Sequence, residues 1–96
     1  MNNERRKEIK AVITKMKSAQ TIINDVLDSI NSKIQSIQMD EEFAFDSLPE
    51  SFQDGIRGDA MQEAIETLES SSEELEDLKE TIEKKLEEIR LDLIIL

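Results

Sequence analysis

The chain has 96 residues, with 23 Asp and Glu against 12 Lys and Arg for a net charge of −11, and it contains neither His nor Cys. Those absences exclude disulfides, thiolate metal sites and imidazole acid–base chemistry, and neither a cofactor nor a metal is expected. The length suits one small domain over 1–96, and two Gly, one Pro, three Phe and no Trp or Tyr leave little material for strands, so the expected class is all-α.

Asn3 is the expected N-cap of the first helix, because its side chain can accept from the free amides of the opening turn. Residues 1–20 carry a net +4, and Arg5, Arg6 and Lys7 oppose the helix dipole, so an acidic neighbour is expected beside them. From there Ile9, Met16, Ile23, Ile30 and Ile37 recur every seven residues, with Val12 or Ile13, Ala19, Val26 or Leu27, and Ile34 between them. A sustained seven-residue apolar repeat is the mark of a coiled-coil strand, and with no Gly or Pro before Asp46 the first helix is expected over about 4–45.

Residues 46–59 hold the only Pro and both Gly, and the residue before a proline is pushed out of the helical region. A turn is predicted here, with a short helical segment over about 48–53. Ser47 with Glu50 reads as a capping box for that segment, and Asp59 with Gln62 as a second one, which starts the last helix at about Ala60. Over about 60–95 the repeat returns as Met61, Leu68, Leu75, Ile82, Ile89 and Leu96. Ser70, Ser71 and Ser72 interrupt it where Leu or Ile is expected, either as a small-residue layer admitting a close neighbour or as a bend.

Two long amphipathic helices joined by a short Pro- and Gly-containing turn predict an antiparallel hairpin of the coiled-coil type. Setting the two repeats against each other pairs Ile30 with Leu68, Ile23 with Leu75, Met16 with Ile82 and Ile9 with Ile89. This places the basic Arg5 to Lys17 segment beside Glu80, Glu83, Glu87, Glu88 and Asp92, so charge favours the antiparallel orientation. The apolar stripes are wider than a two-stranded seam requires, and a homo-oligomeric helical bundle is expected, with Ile13, Ile22, Leu27, Ile94, Ile95 and Leu96 as its interface.

Phe43, Phe45, Leu48, Phe52 and Ile56, with Arg57 beside them, gather every aromatic of the chain within ten residues, among seven acids between Asp40 and Asp59. Structurally they would plug the end of a bundle; functionally they would dock a basic partner. The remaining acids read as a solvated face, and no EF-hand loop, phosphate loop, nucleophile elbow or zinc spacing is present, so no enzyme is expected. Direct nucleic-acid binding is disfavoured, because phosphate contacts need a basic surface and only the Arg5 to Lys17 cluster supplies one.

No run of about eighteen apolar residues occurs, so no membrane span is predicted. The charged start lacks an apolar signal core, which predicts a cytoplasmic protein.

The run Phe45-Asp46-Ser47-Leu48-Pro49-Glu50-Ser51-Phe52-Gln53, followed by Arg57-Gly58 and Met61-Gln62-Glu63-Ala64-Ile65, resembles a group of small, mostly uncharacterised helical proteins of bacteriophages and prophages that carry a Phe-Asp-x-Leu-Pro-Glu-x-Leu-Gln turn. The chain departs from that pattern with Phe52 in place of Leu and with Asp54-Gly55-Ile56 after the turn. The resemblance implies expression in the cytoplasm of an infected bacterium and brings no catalytic residues with it.

Three functional readings stay open at this stage. The first is a non-enzymatic acidic protein binding a basic host or phage protein, as a nucleic-acid mimic or an antagonist of host defence. The second is an oligomer holding a small ligand such as a signalling nucleotide through Arg57 and the backbone near Gly55 and Gly58. The third is a purely structural coiled coil used in assembly.

Overall fold

A computed structural model describes every residue from Met1 to Leu96. The chain forms three helices and no strand: α1 over Asn3–Asp46, α2 over Glu50–Gln53 and α3 over Ile56–Ile94. No helix is long and apolar enough to cross a membrane.

Asn2, one residue earlier than expected, caps α1: its Oδ1 accepts from the Arg5 amide at 2.8 Å. Asn3 therefore lies inside the first turn. The three-residue reach from cap to amide is the usual one, and it satisfies one of the four donors that a helix start leaves unpaired.

At the other end of α1 the last carbonyls need partners, and the turn supplies them. The Ser47 hydroxyl donates back to the Phe43 carbonyl at 2.8 Å, and the Gln53 side-chain amide donates to the carbonyls of Phe45 at 3.2 Å and Leu48 at 3.0 Å. The expected Ser47–Glu50 box consequently does not form: α2 is preceded by Pro49 and has no side-chain cap. The second expected box is displaced too. Helix α3 starts ahead of Ala60, with the Asp59 amide bonded to the Gly55 carbonyl at 2.9 Å, which leaves Asp59 in the first turn, where its charge suits the helix dipole.

The early start of α3 depends on Gly58, which is buried. A Cβ built there would stand 1.9 Å from the Gln53 carbonyl oxygen and 2.7 Å from its Cα, so the end of α2 occupies the space a side chain would need. At Gly55 a Cβ would meet only ordinary contacts, the nearest at 3.5 Å.

By packing, the chain divides into two compact units. Unit 1 comprises Met1–Leu27 with Asp77–Leu96, and unit 2 comprises Asp28–Glu76. Each contains a segment of α1 and a segment of α3, with side-chain bonds between them. In unit 1 Asn24 donates to Glu83 at 3.2 Å, and in unit 2 Asn31 donates to Glu76 at 2.9 Å and Gln35 to Ser72 at 3.3 Å. As the α1 number rises the α3 number falls, so the two segments of unit 2 run in opposite directions.

The register differs from the expected one. Asn31 meets Ser72 and Glu76 rather than the neighbourhood of Leu68, an offset of roughly one and a half to two and a half helical turns. Two seven-residue repeats fit equally well after a slide of seven, so the repeats alone could not select the pairing.

The inward stripe also drifts off the strict repeat. Ile9, Met16 and Ile23 are half-buried as expected, but further along Asn31 and Gln38 face inward while Ile30 and Ile37 are exposed. In α3 the half-buried stripe follows Met61, Leu68, Leu75 and Ile82, then passes to Arg90, leaving Leu78, Ile89 and Leu96 exposed. A helix near 3.6 residues per turn drifts about 20° per heptad from a strict seven-residue repeat, so four or five heptads carry the seam round by one residue. No hydrophobic side chain of the chain is fully buried.

The contrast between the two glycines is testable. Gly58→Ala should lower stability by roughly 1–3 kcal/mol through overpacking against fixed backbone, whereas Gly55→Ala should stay within about 0.5 kcal/mol of the parent. Urea midpoints followed by helical circular dichroism measure both, and equal midpoints would remove the close-approach role of Gly58.

Candidate functional site

The most buried polar groups of the molecule lie in unit 2. Asn31 is 7% exposed and Ser72 is 9% exposed. The Ser72 hydroxyl donates to Asn31 Oδ1 at 2.5 Å and accepts from Gln35 Nε2, while Asn31 Nδ2 donates to a Glu76 carboxylate oxygen. Every polar atom of the Asn31 carboxamide side has a partner, so this layer holds one pairing of α1 with α3 without leaving a buried group unsatisfied. Of the three consecutive serines, Ser72 is the one that enters the layer. Ser71 is half-buried and Ser70 is exposed.

Seven-residue periodicity does not point to Asn31, because it sits one residue beyond the apolar position Ile30. In unit 1 the related Asn24 is only partly satisfied, since its Oδ1 is buried without a partner.

The residues of the expected docking cluster separate into two groups. Phe45 and Leu48 are half-buried, whereas Phe43 is 75% and Ile56 92% exposed, with Phe52 and Arg57 also outward. Met39, one helical turn before Phe43, is exposed as well and was not among the expected residues. A Met four residues before an aromatic on a helix is a signal that the sequence did contain.

Around this patch unit 2 holds fourteen Asp and Glu against two basic residues, Lys33 and Arg57, a net charge of −12. Unit 1 holds nine acids against ten bases, a net charge of +1. No group of three or more Asp and Glu side chains is arranged to hold a metal ion.

In unit 1, Arg6, Ile9, Lys10 and Ile13 face Leu93 to Leu96 across an open cleft of about 320 Å³. Of the expected oligomer residues, Ile13 and Leu27 are half-buried, and Ile22, Ile94, Ile95 and Leu96 are exposed. Glu87 and Arg90 form a two-pronged pair one turn apart on α3, at 2.9 and 2.5 Å. The hydrogen bond from Arg90 holds the Glu87 carboxyl below the usual carboxylate range; desolvation opposes this, and the charges of Arg90 and Lys17 add to the lowering. The same pair raises Arg90 further above its ordinary value.

No family model, no curated protein and no solved structure matches the chain.

Asn31→Ala should cost about 1–3 kcal/mol, because Ser72 and Glu76 lose a partner inside the layer; chemical denaturation measures it, and an unchanged midpoint would show that the layer carries no stability. The lowered Glu87 carboxyl contributes stability that is present above its unfolded-state pKa and lost as pH falls through its lower folded-state value. Glu87→Gln should therefore flatten the acid side of the stability profile slightly and leave the neutral side of the curve nearly parallel to the parent.

Proposed function

We propose that the chain is a non-enzymatic binding protein, an antiparallel helical hairpin that associates with its own copies and docks a basic macromolecule on the acidic unit 2. The observation that carries this reading is the exposure of four apolar side chains, Met39, Phe43, Phe52 and Ile56, on a unit of net charge −12. Apolar side chains exposed together mark an interaction surface, and a dense field of one sign steers partners of the other sign and rejects like-charged ones. Nucleic acid is thereby disfavoured as the partner, and a basic protein surface with an apolar recess is favoured.

The turn over 45–53 supports placing that partner in an infected bacterial cytoplasm, as a host or phage protein. The fourteen carboxylates of unit 2 are suited to occupy a groove that otherwise receives phosphates.

Phe43→Ser with Phe52→Ser is the informative variant, since both side chains project outward and neither supports the seam. Capture from bacterial lysate should retain a basic protein on the parent chain and lose it on the double variant at unchanged helicity. Raising salt from about 0.05 M to about 0.5 M should weaken capture by roughly tenfold or more, because opposite charges across a solvated interface are screened. A parent chain that holds no protein better than the double variant would refute the docking patch.

A further inference from the structure

Several apolar side chains of unit 1 are not buried between α1 and α3. Ile22 is 64% exposed and Val26 51% exposed, and Val12, Leu78 and Ile89 are exposed with them. At 3.6 residues per turn, Val12 and Val26 lie roughly a quarter-turn from the centre of the half-buried stripe of α1, with Ile22 further round on the same side, and Leu78 and Ile89 lie roughly a quarter-turn from that of α3. The Asn24–Glu83 bond sets the level of the two segments. Ile9 shares a cleft with Leu93 to Leu96 while Asn24 bonds Glu83, so the two segments of unit 1 run in opposite directions and both flanks fall on the same side, Val26 close in height to Leu78.

We infer that this face of unit 1 is covered by a second copy of the chain, with the α1 segment of each copy against the α3 segment of the other. The inference rests on the self-association included in the proposed function and specifies where it occurs.

Apolarity alone does not choose the place, because Ile30 and Ile37 are exposed apolar residues in unit 2. Charge chooses it. Two copies of unit 1 bring together segments of net charge +1, whereas two copies of unit 2 would bring together −12 and −12. Within unit 1 the α1 segment carries +3 and the α3 segment −2, so crossing them between copies sets opposite signs together.

The chain as a whole exposes 7365 Å², whereas a folded monomer of 11.0 kDa is expected to expose roughly 5600 Å². A second copy would lower that exposure, each partner of a standard stable interface covering about 800 Å².

Sedimentation velocity and native mass of the full chain should show a dimer. Ile22→Asp with Ile89→Asp should raise its dissociation constant by roughly a hundredfold or more, since two apolar anchors become buried charges. Ile30→Asp with Ile37→Asp should change it by less than about threefold, as expected for positions outside an interface.

Because dissociation can itself loosen a chain without a buried apolar core, cysteine trapping provides a second readout that leaves the interface intact. The chain has no cysteine of its own. Under mild oxidation, a mixture of Ile22→Cys and Ile89→Cys chains should form mixed disulfides several-fold faster than a mixture of Ile37→Cys and Ser71→Cys chains.

A parent chain that stays monomeric at about 100 µM, above the working range of a stable dimer, overturns both self-association and its location. A dimer that survives the unit 1 substitutions and is lost on the unit 2 substitutions, or faster trapping at Ile37 and Ser71, overturns the location alone. Docking of a basic partner at Phe43 and Phe52 stands or falls separately.

Discussion

The carboxamide of Asn31, held between the Ser72 hydroxyl and a Glu76 carboxylate, is the contact on which the pairing in unit 2 depends. Around it the apolar side chains are at most half-buried, so hydrophobic burial gives only a weak preference among registers. A slide of α3 along α1 by one heptad would restore much of the apolar contact and none of the hydrogen bonds. A buried Asn is a known way for helices to specify register at some cost in stability. The same reasoning explains why the layer contains Ser72 rather than Leu: a small hydroxyl lets the two backbones approach and still answers the Asn31 oxygen.

The turn adds a second constraint of a different kind. Gln53 ties α2 to the end of α1 through the carbonyls of Phe45 and Leu48, and Gly58 lets the first turn of α3 press against the backbone of that same glutamine. One residue thus meets both long helices. With its backbone packed on one side and its amide bonded on the other, the turn directs Phe45 and Leu48 inward and leaves Phe43, Phe52 and Ile56 outward. The outward group, set among the carboxylates of unit 2, is the surface on which the proposed docking rests.

Charge divides the work between the two units. Nearly all the excess acid lies in unit 2, while the basic opening of α1 and the acidic part of α3 almost cancel in unit 1. Apolar surface beside a strong field of one sign suits an oppositely charged partner. Comparable apolar surface in a near-neutral setting suits a copy of the same chain, because like charge no longer opposes contact. In the proposed reading, the uneven charge favours a basic partner at one place and leaves association unopposed at another.

Much of this was legible in the sequence, and the limit of legibility has a physical cause. Helix content, the turn at Pro49, the amphipathic stripes and the concentration of aromatics among acids follow from local propensity and from periodicity, which accumulate along the chain and need no knowledge of what lies opposite. The phase of the stripe did not follow, since a drift of about 20° per heptad becomes a whole residue only over several turns, and so Ile30 and Ile89 were expected inside where Asn31 and Arg90 are found. Nor did the caps, because Asn2 and Asn3, or Ser47 facing forward and Ser47 facing back, differ by bonds of similar worth. Tertiary structure alone decided the register, the closeness of Gly58 to Gln53 and the division of the phenylalanines, since each depends on atoms far apart in sequence that a repeat of period seven leaves free to slide.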